Sequence, residues 1–183
     1  MSSAPRYIPY YTLDDYRQWE GDWELIDGVA IAMTPSPFGP HERIISRLSR
    51  MIGNQLDLCQ CACEVYTNLD WIVCDNTVIR PDLMVVCGEQ PQQHLERRPE
   101  IVVEVLTEST KGRDLTAKRA VCRESDVPHY LIIDPETKTI EQFSGKLSNK
   151  HEVGANFALL LAGHENCTIN IECSLLFDST FNC

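Results

Sequence analysis

Ile101-Val102-Val103-Glu104-Val105-Leu106 is a run of aliphatic side chains broken once, by a carboxylate. The run is strand-sized, and apolar side chains on both parities mean that both faces of the strand are covered. Such a strand belongs inside a sheet with other elements packed on it. Downstream, residues 114–125 suit a helix and Tyr130-Leu131-Ile132-Ile133 a second buried strand, ended by a turn at Asp134-Pro135. Upstream, a polar loop at 88–99 separates the run from strand-like stretches at 61–73 and 78–86, themselves parted by Asp75-Asn76. Strands and helices in this order predict an α/β (α+β) fold with a mixed sheet flanked by helices.

The outer pieces are read the same way. Thr12 reads as the N-cap of a helix running to about Glu20, with Asp15 completing a capping box. Trp23 to Ile31 looks like a hairpin turning at Asp27-Gly28, and Thr34-Pro35-Ser36-Pro37 breaks regular structure. Gly39-Pro40 opens the clearest helix, in which Ile44, Ile45, Leu48, Met51, Ile52 and Leu56 form one apolar stripe. His41, at the start of that helix, could contact phosphate but reads rather as a helix-terminal surface residue. Stretches at 139–143, 157–161 and 168–171 make a β-rich tail. Without internal repeats or a low-complexity linker, residues 1–183 read as one domain, with an N-terminal helix region at 1–22 and a tail at 136–183 packed on the core.

A chain of 183 residues with 43% hydrophobic and 23% charged content can bury a core of its own. No apolar run reaches membrane-spanning length, and Met1-Ser2-Ser3-Ala4-Pro5-Arg6 lacks the apolar segment of a signal peptide, so the expected location is the cytoplasm. There, the nine cysteines are expected as reduced thiols. Cys59, Cys61 and Cys63 lie within five residues, but this alternation puts them on one face of a strand, where small semi-apolar packing outweighs a zinc site. The net charge of −11 is unfavourable for phosphate binding, yet residues 97–123 carry seven basic against four acidic side chains, Arg113 and Arg119 among them.

Three acids interrupt apolar strands: Glu24 before Leu25-Ile26, Asp82 after Arg80-Pro81, and Glu104 inside its run. A carboxylate in a buried strand is costly unless it is paired or coordinates a cation, and two on neighbouring strands repel one another. A shared Mg²⁺ relieves both costs. The competing readings are ordinary: Asp82 capping a loop, Glu104 paired with Arg80, Glu24 at an exposed strand end.

Arg80-Pro81-Asp82, then Val102-Val103-Glu104-Val105-Leu106-Thr107, then Asp114, Lys118 and Tyr130 to Pro135, resemble the Uma-two family of restriction-endonuclease-like proteins in the PD-(D/E)XK nuclease superfamily. The resemblance runs from Trp23-Glu24-Leu25-Ile26-Asp27-Gly28 through Pro40-His41 to the tail. It implies a restriction-endonuclease-like fold, Asp82 and Glu104 as the metal-binding acids, and Glu24 as a further site acid. The motif lysine would stand two residues after Glu104, where strand geometry returns a side chain to the same site. Leu106 stands there, and the resemblance offers Lys118 instead. Cys122 and Leu131 occupy positions where relatives often carry aromatics, so the pocket wall differs.

The expected activity is Mg²⁺- or Mn²⁺-dependent endonucleolytic hydrolysis of DNA. Asp82 and Glu104 would hold the ion with the Val105 carbonyl, Lys118 would stabilise charge on the phosphate, and Glu24 would hold a metal-bound water or second ion. Arg113 and Arg119 would contact nucleic acid. Two rivals remain: an inactive nuclease-fold module that binds nucleic acid or protein, with Leu106 as its warning sign, and a structural domain that homodimerises through its apolar tail.

Overall fold

The computed structural model describes residues 9–33, 38–59, 61–108, 111–161 and 167–177, and the side chains of all of these except Arg113 and Asp114. The break expected at Thr34-Pro35-Ser36-Pro37 lies outside the described residues.

Ile101–Val105 forms β7, and every residue in it is buried. It lies between β6 (Leu83–Cys87), antiparallel to it, and β8 (His129–Asp134), parallel to it. With β3 (Cys63–Thr67), β9 (Thr139–Ser144) and β10 (Leu147–Glu152) these make a six-stranded sheet in the order β10-β9-β8-β7-β6-β3. A parallel pair cannot be joined by a tight turn. The chain crosses from β7 to β8 through α3 (Lys111–Arg113), a π-helical stretch at Asp114–Lys118 and α4 (Arg119–Glu124).

Strand parity sorts the β7 side chains between two cores. Val103 and Val105 meet Leu83 and Val85 of β6 and the stripe Ile44, Ile45, Leu48, Ile52 and Leu56 of α2 (Gly39–Cys59). Leu48 is fully buried there, where truncation to alanine costs about 2–5 kcal/mol. The same core takes in the hairpin of β11 (Asn156–Leu160) and β12 (Thr168–Glu172), and α5 (Cys173–Phe177). Gln55 of α2 clamps that hairpin: its Nε2 donates to the Asn170 carbonyl (2.9 Å) and its Oε1 accepts from the Asn170 N–H (2.8 Å).

Val102, of the opposite parity, lies in the second core with Met84, Val86, Tyr130 and Ile132, beneath Val121 and Cys122 of α4. Ile26, Ile79 and Trp71 join it from a four-stranded sheet of order β2-β1-β5-β4, formed by β1 (Trp23–Ile26), β2 (Val29–Ala32), β4 (Trp71–Cys74) and β5 (Thr77–Ile79). Glu104 shares the parity of Val102 and so belongs to the face that carries α4. Both sheets therefore converge on the end of β7.

The β1–β2 turn falls at Asp27-Gly28 as the sequence predicts, both residues having positive φ (50° and 77°). Four other expectations are corrected. The first helix, α1, spans only Leu13–Tyr16; beyond it Trp19 packs edge-on against Tyr11 and Tyr16. The Thr12–Asp15 capping box is present. A sixth strand, β10, extends the main sheet where no strand was expected, because its largely exposed residues carry no apolar pattern. Cys59, Cys61 and Cys63 do not line one strand face, since Cys59 ends α2 and only Cys63 lies in β3. Nor are all thiols reduced: Cys63 is disulfide-bonded to Cys87, directly opposite it across β3 and β6.

Candidate active site

Glu24, Glu104 and Lys118 form a buried ionic triad. The Lys118 Nζ lies 2.9 Å from Glu24 Oε1 and 2.7 Å from Glu104 Oε1, and it donates to the Arg80 carbonyl at 3.4 Å. These three acceptors match the three N–H bonds of an ammonium. Glu24 is fully buried, and Glu104 and Lys118 are each 2% exposed. Burying charges is tolerable only with good mutual geometry, and the triad has it.

Local structure explains each member. Glu24 sits in β1 beside β5, and its Oε1 also accepts the Arg80 N–H (2.9 Å), which ties the Arg80-Pro81-Asp82 turn to β1. Glu104 is the side chain that parity directs toward α4. Lys118 closes the π-helical stretch, whose wider turn rotates the residues that follow relative to an unbroken α-helix; such stretches recur at functional sites.

Asp82 lies one residue before β6. Continuing the register Leu83↔Val103 by one step sets it opposite Glu104. Its Oδ2 accepts the Val105 N–H (2.7 Å) and contacts His41 Nε2 (3.3 Å), while Nδ1 of the same ring lies 3.0 Å from Glu42 Oε1. Burial opposes protonation of His41, but the hydrogen bonds and charges of Asp82 and Glu42 outweigh it and raise its pKa. His41 is thus not a surface residue: it is 6% exposed and pinned to a site acid. The sequence carried the signal, because His41 continues the apolar stripe one turn before Ile44 and Ile45.

The alternative partner for Glu104 also fails. The Arg80 guanidinium instead binds Asp70 (Nε to Oδ1, 2.6 Å) and Asp22 (Nη1 to Oδ1, 2.5 Å). Tyr16 donates to Asp70 at 3.0 Å; its phenol is raised by burial first and then by the Asp70 charge. Leu106, where a motif lysine would stand, is buried with Val121 and Cys122. The Cys122 thiol is pushed up by burial and by the nearby Glu104 charge.

Of the two candidate nucleic-acid contacts, Arg113 lies in α3 and its side chain is outside the described residues. Arg119 stacks on the Phe143 ring, 4.0 Å from its centre, at the edge of a cavity of about 230 Å³ also lined by Arg123, Lys146 and Cys122. Three cations around one cavity form a basic spot on an acidic chain. Among the described residues, no group of three or more His, Cys, Asp or Glu side chains is placed to hold a metal ion together.

The family model described as "Uma2: Putative restriction endonuclease" matches residues 13–169. The chain belongs to this family. The Uma2 match takes in Glu24, Asp82, Glu104 and Lys118 together. A solved structure described as a "putative nuclease belonging to DUF820" from Anabaena variabilis superposes with a TM-score of 0.74 at 18% identity, covering 91% of this chain and 97% of that one. It shows that the two share the fold. No curated protein matches the chain. Among the described residues, no helix is long and apolar enough to cross a membrane.

Proposed function

We propose that this Uma2-family chain is a Mg²⁺- or Mn²⁺-dependent endonuclease acting on DNA. The observation that carries the reading is the cluster at the end of β7: Glu24 and Glu104 share the Lys118 ammonium, and Asp82, opposite Glu104, is held by the Val105 N–H and His41. The donor set suits a hard divalent cation, being carboxylate oxygens on adjacent strands without a thiolate. Magnesium is usually held by one or two carboxylates, with water and substrate phosphate completing its shell, so a complete protein cage is not required.

In this reading Asp82 and Glu104, with the Val105 carbonyl, would hold the ion. Bound there, it supplies Lewis acidity to the scissile phosphate and to the attacking water. The hydrogen bonds from Val105 N–H and His41 fix the Asp82 carboxylate in place. Lys118 stabilises negative charge growing on the phosphoryl oxygens, as Leu106 cannot. Glu24 touches Lys118 and the Arg80 backbone and so positions the ammonium. Arg119, over the Phe143 ring, would contact the phosphate backbone beside the site, as would Arg113 of α3.

Calorimetric titration of Mn²⁺ into wild-type protein and Asp82→Asn tests the assignment. The expected result is one site in wild type, weakened at least about tenfold in the variant. Equal affinity in both would place the ion elsewhere.

A further inference from the structure

We propose that Cys61 and Cys167 are an oxidation site: a small disulfide of the oxidised-glutathione class converts them to a second disulfide that tethers the β11–β12 hairpin to the start of β3. Their sulfurs stand 3.1 Å apart although the residues are 106 positions apart in the chain. A disulfide bond is about 2.05 Å long, so closure needs roughly 1 Å of movement. Each residue lies just outside a strand, Cys61 two positions before β3 and Cys167 directly before β12. Cys59 is the third sulfur of the group, close enough to Cys167 to help raise its thiol pKa.

Access sets the order of events. Cys61 is half-buried and Cys167 is 1% exposed, its thiol held protonated by burial and by the two neighbouring sulfurs. The Cys61 thiolate therefore attacks the oxidant first, forming a mixed disulfide and releasing one small thiol. Cys167 then attacks the Cys61 sulfur, its proton passing to the departing second thiol. The protein loses two hydrogens, and the oxidant is reduced to two thiols. Cys63 and Cys87, already bridged in the adjoining strands, take no part.

The product closes a long loop and fastens a hairpin now held to α2 by Gln55 and apolar packing. Such a link restricts the unfolded chain, and a gain of about 5–15 °C in melting temperature is expected.

The test treats the folded, full-length protein with oxidised glutathione, alkylates the remaining thiols and maps the peptides by mass spectrometry, with melting curves before and after. The expected result is a Cys61–Cys167 cross-linked peptide and a raised melting temperature that a dithiol reverses. Cys61→Ser should lose both and Cys59→Ser should keep both. A stable glutathione adduct on Cys61 with Cys167 still alkylatable would overturn the proposal, as would a Cys59–Cys61 link. Stoichiometric zinc lost on Cys61→Ser would replace it with a metal site. A Cys61–Cys167 link without a rise in melting temperature would refute the tether.

Discussion

The two ends of β6 solve the same problem in different ways. At one end stands Asp82, opposite Glu104; at the other stands Cys87, opposite Cys63. Both ends set reactive side chains face to face across a strand pair, β6 and β7 at the acid end and β6 and β3 at the sulfur end. At the sulfur end a covalent bond and packed thiols leave no charge to compensate. At the acid end Glu24 and Glu104 share one buried ammonium, and Asp82, opposite Glu104, is paired with His41. A core built only for stability would resemble the sulfur end. The acid end keeps charge buried instead, and in the proposed reading it is there that a divalent ion would bind.

Removing the cation that holds the acid end together should have the largest effect. Lys118→Met preserves volume but leaves Glu24 and Glu104 facing each other unneutralised, so the metal-free protein should lose about 3–5 kcal/mol. The folded state of the variant would raise the pKa of these carboxyls. It would bind protons more readily than the unfolded chain, and stability should fall as pH rises toward neutrality. Urea titrations at pH 5 and 7.5 check both points, and added Mn²⁺ should recover part of the loss. A variant as stable as wild type at both values would mean that the triad contributes little to stability.

Reducing Cys63–Cys87 sharpens the other side of the contrast. The expected loss is about 2–4 kcal/mol, with no dependence on divalent ions. Melting curves with and without a reductant, each repeated with Mn²⁺, separate the ends: metal should raise the melting temperature of the oxidised and the reduced protein alike and leave the loss on reduction unchanged.

Much of the acid end was legible because burial and charge contradict each other in the sequence. Glu104 stands out in an aliphatic run and Asp82 follows a proline at a strand entry, while Lys118 was found through family resemblance rather than pattern. His41 was misread because a helix start suggests a surface, although its place on the apolar stripe argued otherwise. The sulfur end was not legible. Cys63 and Cys87 become neighbours only once β3 and β6 pair, and no local pattern states which strands pair. Polar β10 escaped notice for a related reason: an exposed edge strand has no apolar alternation to betray it.

The smallest effect is expected far from either cluster. Asp134 ends β8, and its Oδ1 accepts the N–H groups of Glu136 (2.9 Å) and Thr137 (3.2 Å). Burial works to raise its pKa, but these hydrogen bonds and the Lys111 charge lower it overall. A depressed carboxyl stabilises the fold above its unfolded pKa, and the contribution disappears as pH falls through the depressed value. Asp134→Asn should therefore cost about 1 kcal/mol at pH 7 and progressively less below pH 3.8, as urea titration across that range would show.

Cleavage of supercoiled plasmid under single-turnover conditions tests the central claim most directly, comparing wild type with Glu104→Gln, Lys118→Ala and Arg119→Ala. Wild type should cut with Mg²⁺ or Mn²⁺ and stop on chelation. Glu104→Gln should be inactive while remaining folded by circular dichroism. Lys118→Ala should be slower by about two to four orders of magnitude, and Arg119→Ala should mainly weaken binding and flatten its salt dependence. Cutting by Glu104→Gln at the wild-type rate, or equal modest losses at Lys118 and Arg119, would contradict the account.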